Sequence, residues 1–208
     1  MILVVGYKGN MGRRYTSILN YLQVPWFGLD VDDIKTGYQG KLDKKFTAVI
    51  IATPTLIHCE YIRMFAKIEV PILCEKPITK DLEELNKTLD YVAAYPSAKL
   101  DMVMQYKELV YSTAKKPTKY NYYKSGNDGI YWDCIQIIGL AKGEIYLSNE
   151  SPIWKCQING QHLKIQDMDW AYVEMIKRWL AKPGQSLNEI FEIHDKTAEF
   201  AYNMERMS

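Results

Sequence analysis

Three stretches of this chain place polar or glycine residues directly after an apolar run. Met1–Val5 leads into Gly6-Tyr7-Lys8-Gly9-Asn10-Met11-Gly12, Phe46–Ala52 into Thr53-Pro54-Thr55-Leu56-Ile57-His58, and Val70–Cys74 into Glu75-Lys76-Pro77. The first can cradle a phosphate. A glycine loop between a strand and a helix presents backbone N–H groups and the helix N-terminus to an anion. Glycine is needed where a Cβ would block the turn, the ligand or helix–strand packing. The candidate contacts to a dinucleotide are Gly6, Lys8, Gly9, Asn10, Met11 and Gly12. Their G-x-x-G-x-x-G spacing is one residue longer than the G-x-G-x-x-G fingerprint. Asp30 supports the reading: it ends the next apolar run, Trp26-Phe27-Gly28-Leu29, where a carboxylate would bond a ribose 2′-hydroxyl. The same carboxylate would repel a 2′-phosphate, so NAD(H) is expected over NADP(H). Against this, Arg13 and Arg14 follow the loop and could reach a phosphate, though a solvated helix surface is their expected role.

The elements that must hold these residues are legible from periodicity. Residues 2–5 read as a buried strand, and Met11, Tyr15, Ile18, Leu19 and Leu22 as the apolar stripe of a helix ended by Pro25. Strands are expected over 26–29, 46–52, 70–74 and 100–105, with helices over 56–67 and from about 81. Thr79 is the expected cap of the latter helix, whose stripe is Leu82, Leu85, Leu89 and Val92. Strand alternating with helix predicts a parallel, doubly wound α/β sheet over residues 1–106. Residues 117–166 are rich in Tyr, Ile and Trp between turn signals. Asn159-Gly160 among them is a two-residue hairpin signal. Helices over Met168–Ala181 and Leu187 to about Met204 follow, so residues 107–208 read as a small α+β domain with a mixed or antiparallel sheet.

Ala52-Thr53-Pro54-Thr55-Leu56-Ile57-His58 and Cys74-Glu75-Lys76-Pro77, in order behind the glycine loop, resemble the ATP-x-x-x-H and EKP motifs of the Gfo/Idh/MocA oxidoreductases. This is the family of glucose-fructose oxidoreductase and inositol dehydrogenase. Gly129-Ile130-Tyr131-Trp132-Asp133 is similar to its G-x-x-x-D segment, and residues 170–202 to its closing pair of helices. The resemblance implies an NAD-binding Rossmann domain, then a substrate and oligomerisation domain whose last helices pack back on the first. It implies hydride transfer at a carbinol carbon of a sugar, polyol or related small substrate, in a homodimer or higher homo-oligomer. It also implies Lys76 and Asp133 as catalytic residues, though a carboxylate next to Trp132 reads equally as a hydrogen-bonded structural group. A lysine beside the nicotinamide can polarise a carbonyl or relay a hydroxyl proton. Thr53, Pro54, Thr55, His58, Glu75 and Lys76 join the cofactor contacts. For His58 a packing or capping role is expected rather than acid–base chemistry; Glu75 either touches cofactor or caps structure. Pro77 shapes the turn, a cis bond being one way to do so.

The chain departs from that pattern in three places. The glycine loop is longer, the chain is short at 208 residues, and the D-x-x-x-H pair is broken: four residues after Asp133 stands Ile137, beside Gln136. Isoleucine cannot transfer a proton. Two other readings stay open, a dinucleotide-binding protein without turnover and a reductase of a conjugated substrate that needs no histidine. Tyr120, Tyr122, Tyr123, Tyr131 and Tyr146 could line a ligand face or a dimer interface. His162 and His194 read as structural or solvent-facing.

Bulk properties narrow the partners. Lys and Arg number 26 against 25 Asp and Glu, for a net charge of +1, which gives no reason to expect nucleic acid or an anionic membrane. No apolar run approaches the ~20 residues of a membrane span, and the first residues lack a basic leader and cleavage site. Cys59, Cys74, Cys134 and Cys156 form no C-x-x-C pair, so reduced thiols, a cytoplasmic location and no metal site are expected.

Overall fold

The computed structural model describes residues 1–30, 32, 46–105, 108, 119–125, 142–148, 154–158, 161–163 and 167–205. Five strands form one sheet: β1 (Ile2–Val5), β2 (Trp26–Leu29), β3 (Ala48–Ile51), β4 (Ile72–Cys74) and β5 (Leu100–Met102). Their order is β2-β1-β3-β4-β5, and every neighbouring pair is parallel. All residues of β1, β3 and β4 are buried, as aliphatic runs covered on both faces must be. Parallel neighbours need a crossover, supplied by α1 (Asn10–Tyr21), α2 (His58–Ala66) and α3 (Leu82–Ala93). These helices bury Tyr15, Ile18 and Leu19, then Tyr61, Ile62 and Phe65, then Leu85, Leu89 and Val92. The resulting core follows the 3.6-residue stripes of the sequence.

The strand order creates the site. From β1 the chain winds to one side to form β2, then passes to the other side of β1 to form β3. Loops leaving the carboxyl ends of β1 and β3 therefore diverge, which opens a crevice at this switch point. The glycine loop leaves one strand, and Thr53-Pro54-Thr55 leaves the other.

Element ends differ from expectation where hydrogen bonding, rather than hydropathy, decides them. β3 occupies 48–51 of the expected 46–52, and β5 stops at Met102. The helix expected from residue 56 opens with a 3-10 turn, Thr55–Ile57, and becomes α-helical at His58. α1 ends before Pro25: Gln23 takes φ 55°, and Val24 N–H donates to Leu19 O at 2.9 Å. The cap of α3 is Asp81, not Thr79. Asp81 has the extended backbone of an N-cap, and its Oδ1 accepts from the amides of Glu83 (2.9 Å) and Glu84 (3.2 Å). Thr79 Oγ1 stands one step back and accepts from Asp81 N–H at 3.1 Å.

The second sheet contains β6 (Lys119–Ser125), β7 (Lys142–Ser148), β8 (Trp154–Ile158) and β9 (Gln161–Leu163), in the order β7-β6-β8-β9. It is mixed: β6 and β7 run parallel, and the other pairs antiparallel. β8 and β9 pair with Ile158 opposite Gln161, the register of a two-residue hairpin, with Asn159-Gly160 between them in sequence. Helices α4 (Asp167–Ala181) and α5 (Leu187–Glu205) close the chain. Among the described residues no helix is long and apolar enough to cross a membrane.

The chain divides into two compact units, Met1–Val103 with Arg178–Phe191, and Met104–Lys177 with Glu192–Ser208. In the first, the connection between α4 and α5 runs along the open edge of β5. Gly184 N–H donates to Asp101 Oδ2 (2.7 Å), Gln185 N–H to Leu100 O (3.3 Å), and Met102 N–H to Gln185 Oε1 (3.2 Å). A short edge strand is thereby protected by main-chain and amide groups that carry no strand pattern in the sequence.

Asp81→Ala is expected to lower the unfolding free energy by about 1 kcal/mol, the usual worth of an N-cap. Thr79→Ala should cost less than half of that. Urea denaturation followed by circular dichroism compares them, and equal losses would contradict the cap assignment.

Candidate functional site

Two glycines bring the backbone of the crevice together. Gly6 ends β1 with φ +80°, and its N–H donates to Leu29 O at 2.7 Å. A Cβ there would stand 2.6 Å from the carbonyl oxygen of Ala52; at Gly12, inside α1, a Cβ would stand 2.1 Å from Gly6 O. Neither position accepts a side chain. Gly9 is the N-cap residue of α1, with ordinary extended backbone, and its N–H donates to Gly6 O at 3.0 Å. The lengthened spacing therefore keeps both close approaches and places its additional residue on the outer part of the turn. Arg13 closes that part, since its Nε donates to Lys8 O at 2.8 Å.

Among the described residues no side chain caps α1. The first bond into the helix runs from Arg13 N–H to Gly9 O at 2.9 Å. The amides of Asn10, Met11 and Gly12 thus lack helical acceptors, and the positive end of the helix stays open to an anion. Lys8 is exposed, its Nζ 5.6 Å from the centre of the Tyr7 ring. That ring lies against Gly28 of β2, where a Cβ would come within 2.5 Å of it. Met11 is half-buried. Asp30 follows the last residue of β2 and is half-buried. Its field reaches α2: burial first, then the carboxylates of Glu60 and Asp30, push the Tyr61 hydroxyl above its ordinary range.

Across the crevice, Ala52 N–H donates to Val5 O at 2.9 Å, so β3 stays paired with β1 to its end. Thr53 comes next and is buried, and its Oγ1 has no hydrogen-bond partner among the described residues. A buried hydroxyl left unpaired costs about 1–3 kcal/mol, so it marks a place where another molecule is expected to bond. Pro54 is exposed and Thr55 half-buried. His58, at the start of α2, is buried. Its Nε2 lies 2.7 Å from Thr53 O and its Nδ1 2.8 Å from Pro77 O. With both ring nitrogens on main-chain carbonyls, His58 has none to offer a cofactor.

The turn after β4 carries the other candidates. Glu75 is buried; Tyr15 O–H of α1 donates to its Oε1, and Lys76 N–H donates to its Oε2 at 3.1 Å. Its carboxylate is therefore fixed by protein groups. Lys76 is half-buried and precedes a cis peptide bond to Pro77. Burial holds the Cys74 thiol well above its ordinary range and, as the largest of several effects, raises Cys59. Among the described residues no group of three or more His, Cys, Asp or Glu side chains could hold a metal. Asp133, Gln136 and Ile137 lie outside the described residues. In sequence Tyr15 is a core residue of the α1 stripe and Arg13 a residue of the solvated helix surface within reach of a phosphate. Their spacing on α1 signalled burial and exposure but not their partners.

Glycine cradle, open amides, orphaned hydroxyl and terminal carboxylate surround one strand switch point, and they fit a dinucleotide. Residues 28–98 match the model of the Gfo/Idh/MocA oxidoreductase family, described as having an NAD-binding Rossmann fold. No curated protein matches the chain in sequence. In fold, the chain is similar to a Gfo/Idh/MocA family oxidoreductase from Vibrio cholerae, with TM-score 0.74 and 10% identity over 99% of this chain and 98% of that one. It is also similar to myo-inositol 2-dehydrogenase from Lactobacillus plantarum (TM-score 0.69, 12% identity, 98% and 97% covered). A third is the WlbA dehydrogenase from Thermus thermophilus, solved with NAD and UDP-GlcNAcA (TM-score 0.67, 14% identity, 95% and 93% covered). The Gfo/Idh/MocA resemblance read from ATPTLIH and CEKP thus stands, and the fold is the α/β Rossmann fold of that family.

Gly12→Ala is expected to destabilise the protein by about 1–3 kcal/mol, the cost of overpacking a closed contact. Gly9→Ala, whose Cβ would meet Gly6 O at 3.3 Å, should cost much less. Thermal unfolding of both variants checks this ranking.

Proposed function

We propose that this protein binds NAD(H) and is an oxidoreductase that transfers a hydride between the nicotinamide and a sugar, polyol or related small substrate. The observation that carries the reading is the Thr53 hydroxyl, which has no partner among the described residues and stands at the same strand switch point as the open amides of residues 10–12. The pyrophosphate would lie on those amides, and Asp30 would accept from a ribose 2′-hydroxyl, favouring NAD(H) over NADP(H). Thr53 would bond the dinucleotide, with Pro54 and Thr55 along its edge. When bound, NAD supplies the hydride acceptor. Lys76 would hold the substrate oxygen, polarising a carbonyl in the reductive direction or taking part in a proton relay from the hydroxyl in the oxidative one. Asp133 is a second candidate to accept a proton, on its sequence position alone.

A second reading rests on Ile137, which stands where the family pattern has its histidine. The chain would then hold the dinucleotide without turnover. We further read the tyrosine-rich second sheet as the surface of a homodimer or higher oligomer in the cytoplasm. Sedimentation equilibrium tests the assembly: a monomer at all concentrations would discard that part.

Titration of NADH and NADPH by cofactor fluorescence tests the main reading. NADH should bind about tenfold more tightly than NADPH, a difference of about 1.4 kcal/mol, and Asp30→Asn should narrow the gap. Failure to bind either would overturn the reading. Lys76→Ala should keep NADH affinity within about twofold but lower turnover at least a hundredfold in a screen of polyols and nucleotide sugars. NADH binding by wild type with no turnover across the screen would favour the second reading.

A further inference from the structure

The β3–β4 ladder stops short of the residues that would do chemistry. Its last links are the Ile51–Cys74 pair and the bond from Glu75 N–H to Ile51 O at 2.9 Å. Beyond that point two turns depart, one carrying Thr53 and the other Lys76. His58 spans them. Its ring, 1% exposed, stands between Thr53 O at 2.7 Å and Pro77 O at 2.8 Å. Carbonyl oxygens only accept, so each contact becomes a hydrogen bond through a proton on the nitrogen facing it. A neutral ring donates to one carbonyl and a protonated ring to both.

Lys76 is thereby held through both of its neighbours in the chain. The preceding residue, Glu75, takes the Tyr15 hydroxyl of α1, and the carbonyl of the following residue, Pro77, takes the His58 ring of α2. The same ring stands 2.7 Å from the carbonyl oxygen of Thr53, whose hydroxyl has no partner among the described residues. One imidazole thus sets the separation between the lysine turn and the turn that would meet the cofactor. A displacement of about 1 Å between such groups can cost a hundredfold in rate.

We propose that His58 is a positioning residue, which fixes the Lys76 turn against the Thr53 turn so that lysine and bound dinucleotide keep one geometry. This rests on the cofactor reading above. The test compares wild type, His58→Ala and His58→Gln, all as full chains and well below their unfolding transitions. Amide hydrogen exchange in peptides covering 53–55 and 75–78 and NADH affinity by fluorescence are both measured. His58→Ala should speed exchange in both turns about tenfold while α3 keeps its wild-type rate. It should also weaken NADH about tenfold, the worth of a lost buried hydrogen bond. His58→Gln, which keeps a donor for one carbonyl, should recover part of both effects.

Wild-type exchange in a folded His58→Ala, or NADH affinity within twofold of wild type, would overturn the proposal. So would a glutamine variant no better than alanine, which would assign the loss to packing. If His58→Ala does not fold, His58→Asn, which keeps a donor but cannot span both carbonyls, is read by the same criteria. If wild type itself fails to bind NADH, the cofactor reading falls, and the exchange comparison alone decides whether His58 ties the two turns.

Discussion

Backbone meets backbone between Gly12 and the Gly6 carbonyl with no room for a Cβ, and the remaining geometry of the crevice is referred to that contact. It lets the first turn of α1 rest on the end of β1, and it directs the amides of residues 10–12 outward beside the strand switch point. The Gly6 approach to the Ala52 carbonyl does the same across the sheet, drawing the end of β3 against the glycine loop. A side chain at either position would separate the helix terminus from the Thr53 turn. The open helix end, the orphaned hydroxyl and Asp30 would then no longer border one cleft. The constraint is steric and local, yet it decides whether the topology yields an anion site or an ordinary strand–helix corner.

Around this contact the protein uses buried polar groups as ties. Tyr15 secures Glu75 from α1, and His58 of α2 stands between the Thr53 and Pro77 carbonyls. Each tie spans elements that hydrophobic packing alone brings near but does not index. Where a polar group is satisfied in this way it specifies one arrangement, because breaking the bond leaves a buried donor or acceptor unpaired. Thr53 Oγ1 is the exception at this site, and an exception at a strand switch point is what a ligand-binding position looks like before the ligand is added.

Much of the α/β half was legible in the sequence because its signals are periodic. Unbroken aliphatic runs such as ILVV and AVII, bounded by glycine and proline signals, read as strands buried on both faces, and the Tyr15, Ile18, Leu19 stripe as one face of a helix. The three strand-end motifs were legible as well, since glycine, Glu-Lys-Pro and Thr-Pro interrupt apolar runs. Partners were not. Periodicity marks Tyr15 as buried and His58 reads as a packing or capping residue, but the acceptors lie 60 residues from Tyr15 and 5 and 19 residues from His58. The cover on β5 was hidden for a related reason: Gly184 and Gln185 act through main-chain and amide groups, in a segment that reads only as a helix break. The cap of α3 moved from Thr79 to Asp81 because capping depends on backbone angles that residue type only biases.

The central claim is that the ends of β1, β2 and β3 form one dinucleotide site. A crystal structure of the protein with NAD bound tests it most directly. The pyrophosphate is expected on the amides of Asn10, Met11 and Gly12, a ribose hydroxyl on Asp30, and the Thr53 hydroxyl bonded to the dinucleotide. A dinucleotide seated elsewhere, or a Thr53 hydroxyl still without a partner beside a fully ordered cofactor, would contradict it.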